Sequence, residues 1–253
     1  NLANFSKKGI EKIFFLLFFC RKIFMRQRVL MLNKKITLET IKENEREILS
    51  IYKKIKPEIE KRLDDFKKIW ESGDNNDLFV ELAFCLFTPQ SSAKQCWRAV
   101  NLLLERDLLF DGHWEDIAAA INMVRFRNNK AKYLTEARNN FLCGNSIKDC
   151  LCTCSSSIEK RDWLVKNVKG MGYKEASHFL RNIGLGQDLA ILDRHILKNM
   201  LLLGVIESLP KTLSRKTYLE LEERLRQYST KIRIPLDHLD FVLWYREAGE
   251  VFK

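Results

Sequence analysis

Fifteen residues constrain this chain more than any other stretch: Asn167-Val168-Lys169-Gly170-Met171-Gly172-Tyr173-Lys174-Glu175-Ala176-Ser177-His178-Phe179-Leu180-Arg181. Their two ends read as helix. The glycine pair between them permits positive φ and close backbone approach. The segment is therefore expected to fold as helix, hairpin, helix. Such a hairpin can present backbone N–H groups to a phosphate. A glycine pair is also an ordinary tight turn between helices, so Gly170 and Gly172 alone do not decide the function.

The rest of the chain agrees with an all-α fold. Ten glycines and four prolines in 253 residues leave few breaks, and Leu, Lys, Glu and Ile are abundant. No alternating apolar/polar pattern persists, no internal repeat is evident, and no Gly/Ser linker divides the chain. The length suits one large or two small domains. Helices are expected over Leu38–Lys56 and Glu58–Ser72, with Pro57 opening the second. Leu78–Phe87 is nearly all apolar and reads as a core helix. Thr88-Pro89-Gln90 then interrupts, and Ser91 or Ser92 can cap the next helix, where apolar residues from Ala93 to Leu104 recur at helical spacing. Further helices are expected at Asp116–Asn122, Lys130–Leu142, Ser157–Asn167, Lys174–Ile183, Asp193–Leu203, Tyr218–Gln227 and Asp237–Glu247.

Lys174 stands two residues beyond the hairpin, where the positive end of a helix dipole, together with burial, would disfavour its ammonium and favour a nucleophilic amine. Asp193 follows nineteen residues later at the head of another helix. Its simple role is an N-cap, yet a carboxylate held there can also stabilise developing positive charge and assist proton transfer from Lys174. Taken alone, Lys174 would be a solvated helix lysine. The ordered pairing with the hairpin and Asp193 points instead to covalent chemistry on nucleic acid.

These residues resemble the helix-hairpin-helix DNA glycosylase superfamily. Within it, "GMGYKEASHFLRNIG" with "DLAILDRHIL" is most similar to the archaeal-type 8-oxoguanine DNA glycosylase/AP lyases. "ELAFCLFTPQSSA" (Glu81 to Ala93), "VRFRNNKAKYL" (Val124 to Leu134) and the final Lys253 fit the same family, so the resemblance runs from about Met31 to Lys253. It implies two helical lobes with a DNA-binding cleft, the second lobe built from both ends of the chain. It also implies that Lys174 attacks C1′ of a flipped nucleotide, displaces the base and forms a Schiff base, after which β-elimination cuts the strand. Gln90 would fill the gap left in the DNA stack. Lys253, Trp244 and Phe126 would recognise the base, although aromatic residues are more often core. Lys169, Gly170, Met171 and Gly172 would contact phosphates. His178 and His195 read as structural or phosphate-facing, and Lys130, Lys132 and Arg138 as a solvated helix face. The expected partner is double-stranded DNA containing oxidised guanine, bound by a monomer at the nucleoid in the cytoplasm, with no membrane, metal or cofactor. The alternatives are an endonuclease III-like glycosylase for oxidised pyrimidines and a non-catalytic DNA-binding module.

Charge adds little to this reading. Of the net +11, residues 1–34 hold eight bases and one acid, leaving 36 bases against 32 acids in the remainder. Most of the basic excess thus lies outside the enzyme-like part. Residues 1–30 are expected to be a non-native or disordered extension before an initiator at Met31, with Met25 the second candidate. A membrane- or partner-binding helix around the apolar run Ile13 to Cys20 is the alternative. Cys143, Cys150, Cys152 and Cys154 cluster as C-x6-C-x-C-x-C, which suits neither zinc nor iron–sulfur spacing, and they read as free thiols.

Overall fold

The computed structural model describes residues 37–253, and among them every regular element is a helix. The expectations for residues 1–30 and for Met31 lie outside the described residues. The chain runs α1 (Leu38–Ser72), α2 (Asn75–Phe87), α3 (Ala93–Glu105), α4 (Leu108–Asp111), α5 (Trp114–Ala120) and α6 (Arg127–Leu142). It continues with α7 (Ile147–Cys152), α8 (Ser157–Asn167), α9 (Tyr173–Asn182), α10 (Arg194–Leu202), α11 (Arg215–Ile232) and α12 (Leu236–Ala248). No described helix is long and apolar enough to cross a membrane.

The two helices expected around Pro57 are one. Proline removes an N–H and crowds the preceding turn, which usually ends a helix. Here Ile48 and Ile55 before it and Ile59 and Phe66 after it all bury one stripe. Each such side chain contributes roughly 1.5–3 kcal/mol, enough to carry the helix through the lost bond. The core helix α2 also starts earlier than its apolar run. Asp74 and Asp77 form a reciprocal cap, each side chain accepting the other's backbone N–H at 2.9 and 3.0 Å. Similarly, Ser214 caps α11 and lengthens it to Arg215–Ile232. The short helices α4 and α7 carry too little apolar periodicity to be read in advance.

From Asn44 onward the residues form one compact unit. Helix α2, buried on nearly every side from Leu78 to Phe87, is the axis of its first group, packing on α3, α6, α7 and α9. Helix α9 packs on both α2 and α8, so the hairpin sits against that core. A second group joins α12 to α10 and α11. The first helix belongs with this second group: Phe66 stacks on Phe241 with centroids 6.4 Å apart, and Asn44 donates to the Leu202 carbonyl. The part of α1 from Asn44 onward thus packs with the C-terminal helices, and residues from the two groups line a shared cavity.

Candidate active site

The hairpin is built by glycine. Gly170 has φ 85°, and a Cβ there would stand 2.3 Å from the Tyr133 ring. Glu175 then reaches back from the first turn of α9 to accept the Gly172 N–H at 3.2 Å, while Met171 N–H donates to the Val168 carbonyl. The Met171 and Gly172 amides are thus engaged inside the hairpin, and the Met171 side chain is core. Lys169 and the Gly170 amide are left as phosphate candidates, with Lys169 exposed and paired to Glu136 at 3.2 Å. The hairpin residues lie outside the main cavity.

That cavity has a volume of about 720 Å³ and brings together five of the expected residues: Gln90, Lys174, Asp193, Trp244 and Lys253. Lys174 is part-buried at the start of α9, where its amine donates to Thr88 Oγ1 at 3.1 Å and lies 3.1 Å from Glu175 Oε1. Asp193 is the N-cap of α10, with Oδ1 accepting from His195 N–H at 2.7 Å and Ile196 N–H at 2.8 Å. Two amides and the helix dipole stabilise this carboxylate where it faces the cavity. The backbone leading to Asp193 is fixed from behind. Glu222 accepts from Ala190 N–H, and Tyr218 donates to the Ala190 carbonyl while accepting from Leu192 N–H. Buried Arg161 forks onto both Glu222 oxygens and so keeps the charge of that carboxylate compensated.

The wall of the cavity is aromatic. Trp244 meets His195 edge to face at 5.3 Å, and Phe241 and Phe252 lie nearby. Lys253 sets its ammonium 3.5 Å from the Trp97 ring centroid and pairs with Glu81. Burial pulls the Lys253 ammonium down and Glu81 opposes that pull. Glu81 also accepts from Asn182 at 3.0 Å, which ties Lys253 to α9. His178 lines the cavity at 7% exposure with neither ring nitrogen partnered. Burial holds its imidazole well below the usual range, with Arg181 and Lys174 adding repulsion.

Phe126 does not join this wall. It stands 54% exposed in a left-handed backbone before α6, 5.7 Å from the Arg125 guanidinium, and does not line the cavity. Lys130 is corrected in the opposite sense. It is buried, and its amine donates to the carbonyls of Phe87 and Pro89 and to Ser91 Oγ. Lys132 lies 4.3 Å from the Trp114 ring centroid and Arg138 reaches the Leu109 carbonyl. Ser92 takes the N-cap position of α3 without a side-chain bond, while Ser91 serves Lys130 and the Arg125 N–H. Among the described residues, no group of three or more His, Cys, Asp or Glu side chains could hold a metal ion, and the four clustered cysteines are free thiols. The roles of Glu175 and Glu81 escaped the sequence reading, and Lys130 was misread as solvated. Only Glu175 had a local signal, the Gly-x-x-Glu spacing of a helix start.

The model of the family described as 8-oxoguanine DNA glycosylase matches residues 59–234. The chain belongs to the 8-oxoguanine DNA glycosylase family. An 8-oxoguanine DNA glycosylase/AP lyase of Fusobacterium nucleatum is 50% identical over 217 residues, spanning 84% of this chain and all of the relative. The crystal structure of the Thermotoga maritima 8-oxoguanine DNA glycosylase aligns with TM-score 0.76 and 35% identity, over 84% of this chain and all of its own. The Methanocaldococcus jannaschii 8-oxoguanine glycosylase/lyase, solved with a 15mer DNA containing 8-oxoguanine, aligns with TM-score 0.75 at 35% identity, covering 83% of this chain and 99% of that one. Membership of the 8-oxoguanine DNA glycosylase family and the likeness to these solved structures account for the all-helical architecture.

Proposed function

We propose that this protein is a bifunctional DNA repair glycosylase/AP lyase that excises 8-oxoguanine and then cleaves the strand. The observation that carries the reading is the convergence of Lys174, Asp193, Trp244 and Lys253 on one cavity. Family membership favours it over the endonuclease III-like and non-catalytic alternatives.

In this mechanism the Lys174 amine attacks C1′ of the extruded nucleotide and the base departs with the electron pair of the glycosidic bond. Asp193, stabilised at the head of α10, offsets positive charge on the sugar as that bond breaks. The new secondary ammonium gives one proton to the departing base; the nitrogen lone pair then forms the C=N bond as the C1′–O4′ bond breaks and O4′ takes up a proton, leaving a protonated Schiff base. Removal of a 2′ proton then expels the 3′ phosphate by β-elimination. Trp244 supplies an aromatic face for the base and Lys253 a polar group for its edge. Gln90 fills the vacated stack, and Lys169 with Gly170 contacts phosphate. The working unit is a monomer on oxidised duplex DNA in the cytoplasm. We divide it into two lobes with the cavity between them, the second formed by α1 with α10–α12; residues 1–30 precede the enzyme proper.

Borohydride trapping on a duplex bearing 8-oxoguanine tests this reading, with an unmodified guanine duplex and Lys174→Gln as comparisons. A lesion-dependent covalent adduct that Lys174→Gln abolishes is the expected result. An adduct that survives the substitution would remove Lys174 as the nucleophile.

A further inference from the structure

The carbonyls at a helix C-terminus have no partner within the helix. At the end of α2 they are met by a side chain from far along the chain. Lys130 Nζ donates to the Phe87 carbonyl at 2.6 Å, to the Pro89 carbonyl at 2.7 Å and to Ser91 Oγ at 3.1 Å. An ammonium has three donors, and here three uncharged acceptors take them. The positive charge also lies at the negative end of the α2 dipole. Methionine would fill this 4% exposed site without the cost of burying a charge, so the lysine is there for its bonds. Burial pulls its pKa down to about 8.

Two residues lie between the clamped groups. Gln90, between Pro89 and Ser91, holds a left-handed φ of 55°, a conformation that persists only where its surroundings impose it. Thr88, between Phe87 and Pro89, donates Oγ1–H to the Cys85 carbonyl at 2.8 Å and accepts from Lys174 Nζ at 3.1 Å. A continuous path of short contacts therefore runs from Lys130 through the clamped backbone to the amine of Lys174.

We propose that Lys130 is a positioning residue of the active site, holding the Thr88–Ser91 turn so that Thr88 fixes the Lys174 amine and Gln90 faces the cavity. The inference rests on Lys174 being the nucleophile. Lys130 itself is buried and does not line the cavity.

The test is a double-mutant cycle read by the single-turnover rate of borohydride-trapped adduct at saturating 8-oxoguanine duplex. The full chain is compared with Lys130→Met, Thr88→Val and the double variant. Lys130→Met should stay folded by circular dichroism and slow trapping by roughly tenfold to a hundredfold, the scale of loss that about 1 Å of misplacement causes. Thr88→Val should slow trapping as well. The double variant should be no slower than the worse single, because both losses pass through one contact. Independent, multiplying losses would overturn the proposal, as would a folded Lys130→Met that traps at the unsubstituted rate. Should Lys130→Met fail to fold, Ser91→Ala takes its place in the same cycle, where a shared loss supports the clamp and independent losses refute it. An unsubstituted protein that forms no adduct would sink the Lys174 reading, and this inference with it. Normal trapping by every variant would sink the clamp alone.

Discussion

Two loops bracket Lys174, and they are held by opposite means. The hairpin at Gly170–Gly172 is largely made from its own neighbourhood. Gly170 supplies a positive φ, Glu175 bonds back to Gly172 three residues away, and Met171 bonds back to Val168. The turn at Thr88–Ser91 also needs a positive φ, but places Gln90 there instead of glycine. Beyond its local bonds, Ser91 N–H to the Thr88 carbonyl and Thr88 to the Cys85 carbonyl, it is held by Lys130, some forty positions later, and by the Arg125 N–H on Ser91. A loop held by local bonds can be read in its residues, whereas a loop clamped from elsewhere looks like any polar turn.

Substitutions can break or sharpen this contrast. The largest effect is expected at the local loop. Gly170→Ala sets a Cβ against the Tyr133 ring and forces alanine into positive φ, which together should cost about 3 kcal/mol in chemical denaturation. Adding Tyr133→Ala should recover the steric part and leave about 1–2 kcal/mol from φ. Full recovery would mean that the hairpin depends on packing as much as the other loop does.

A smaller effect, dependent on pH, is expected on α9, the helix that the hairpin launches. His178 is neutral in the folded protein because burial depresses its pKa, so below about pH 6.5 the unfolded chain binds the extra proton. Its contribution to stability is therefore present above that pH and lost below it, by about 1.4 kcal/mol per pH unit. Denaturation of His178→Phe at pH 7 and pH 5 should show a shallower acid loss than the unsubstituted protein. Equal slopes would remove His178 as a buried neutral group.

The smallest effect is expected at the clamped loop. Gln90→Gly relieves the left-handed strain but loosens the unfolded chain, for a net gain of about 0.5 kcal/mol. If Gln90 fills the vacated stack, affinity for lesion duplex should fall even as stability rises. Affinity that stays level would take the role from Gln90.

The amino-acid sequence alone determined what rests on local rules. Helical spacing and scarce Gly and Pro set the all-α class, as the ordered elements α8, α9 and α10 bear out. Asp193 could be read as an N-cap because an aspartate before a helix bonds its own neighbours. Lys174 was legible by its place after two glycines. Tertiary structure decided the remainder. It carried α1 through Pro57 because both halves bury one stripe, and it left Phe126 in solvent while drawing Trp244 to the cavity. It also turned Lys130 inward and Glu81 toward Lys253. The physical reason is shared: a buried charge is stable only where distant acceptors or counter-charges converge on it, and that convergence exists only once the helices have packed.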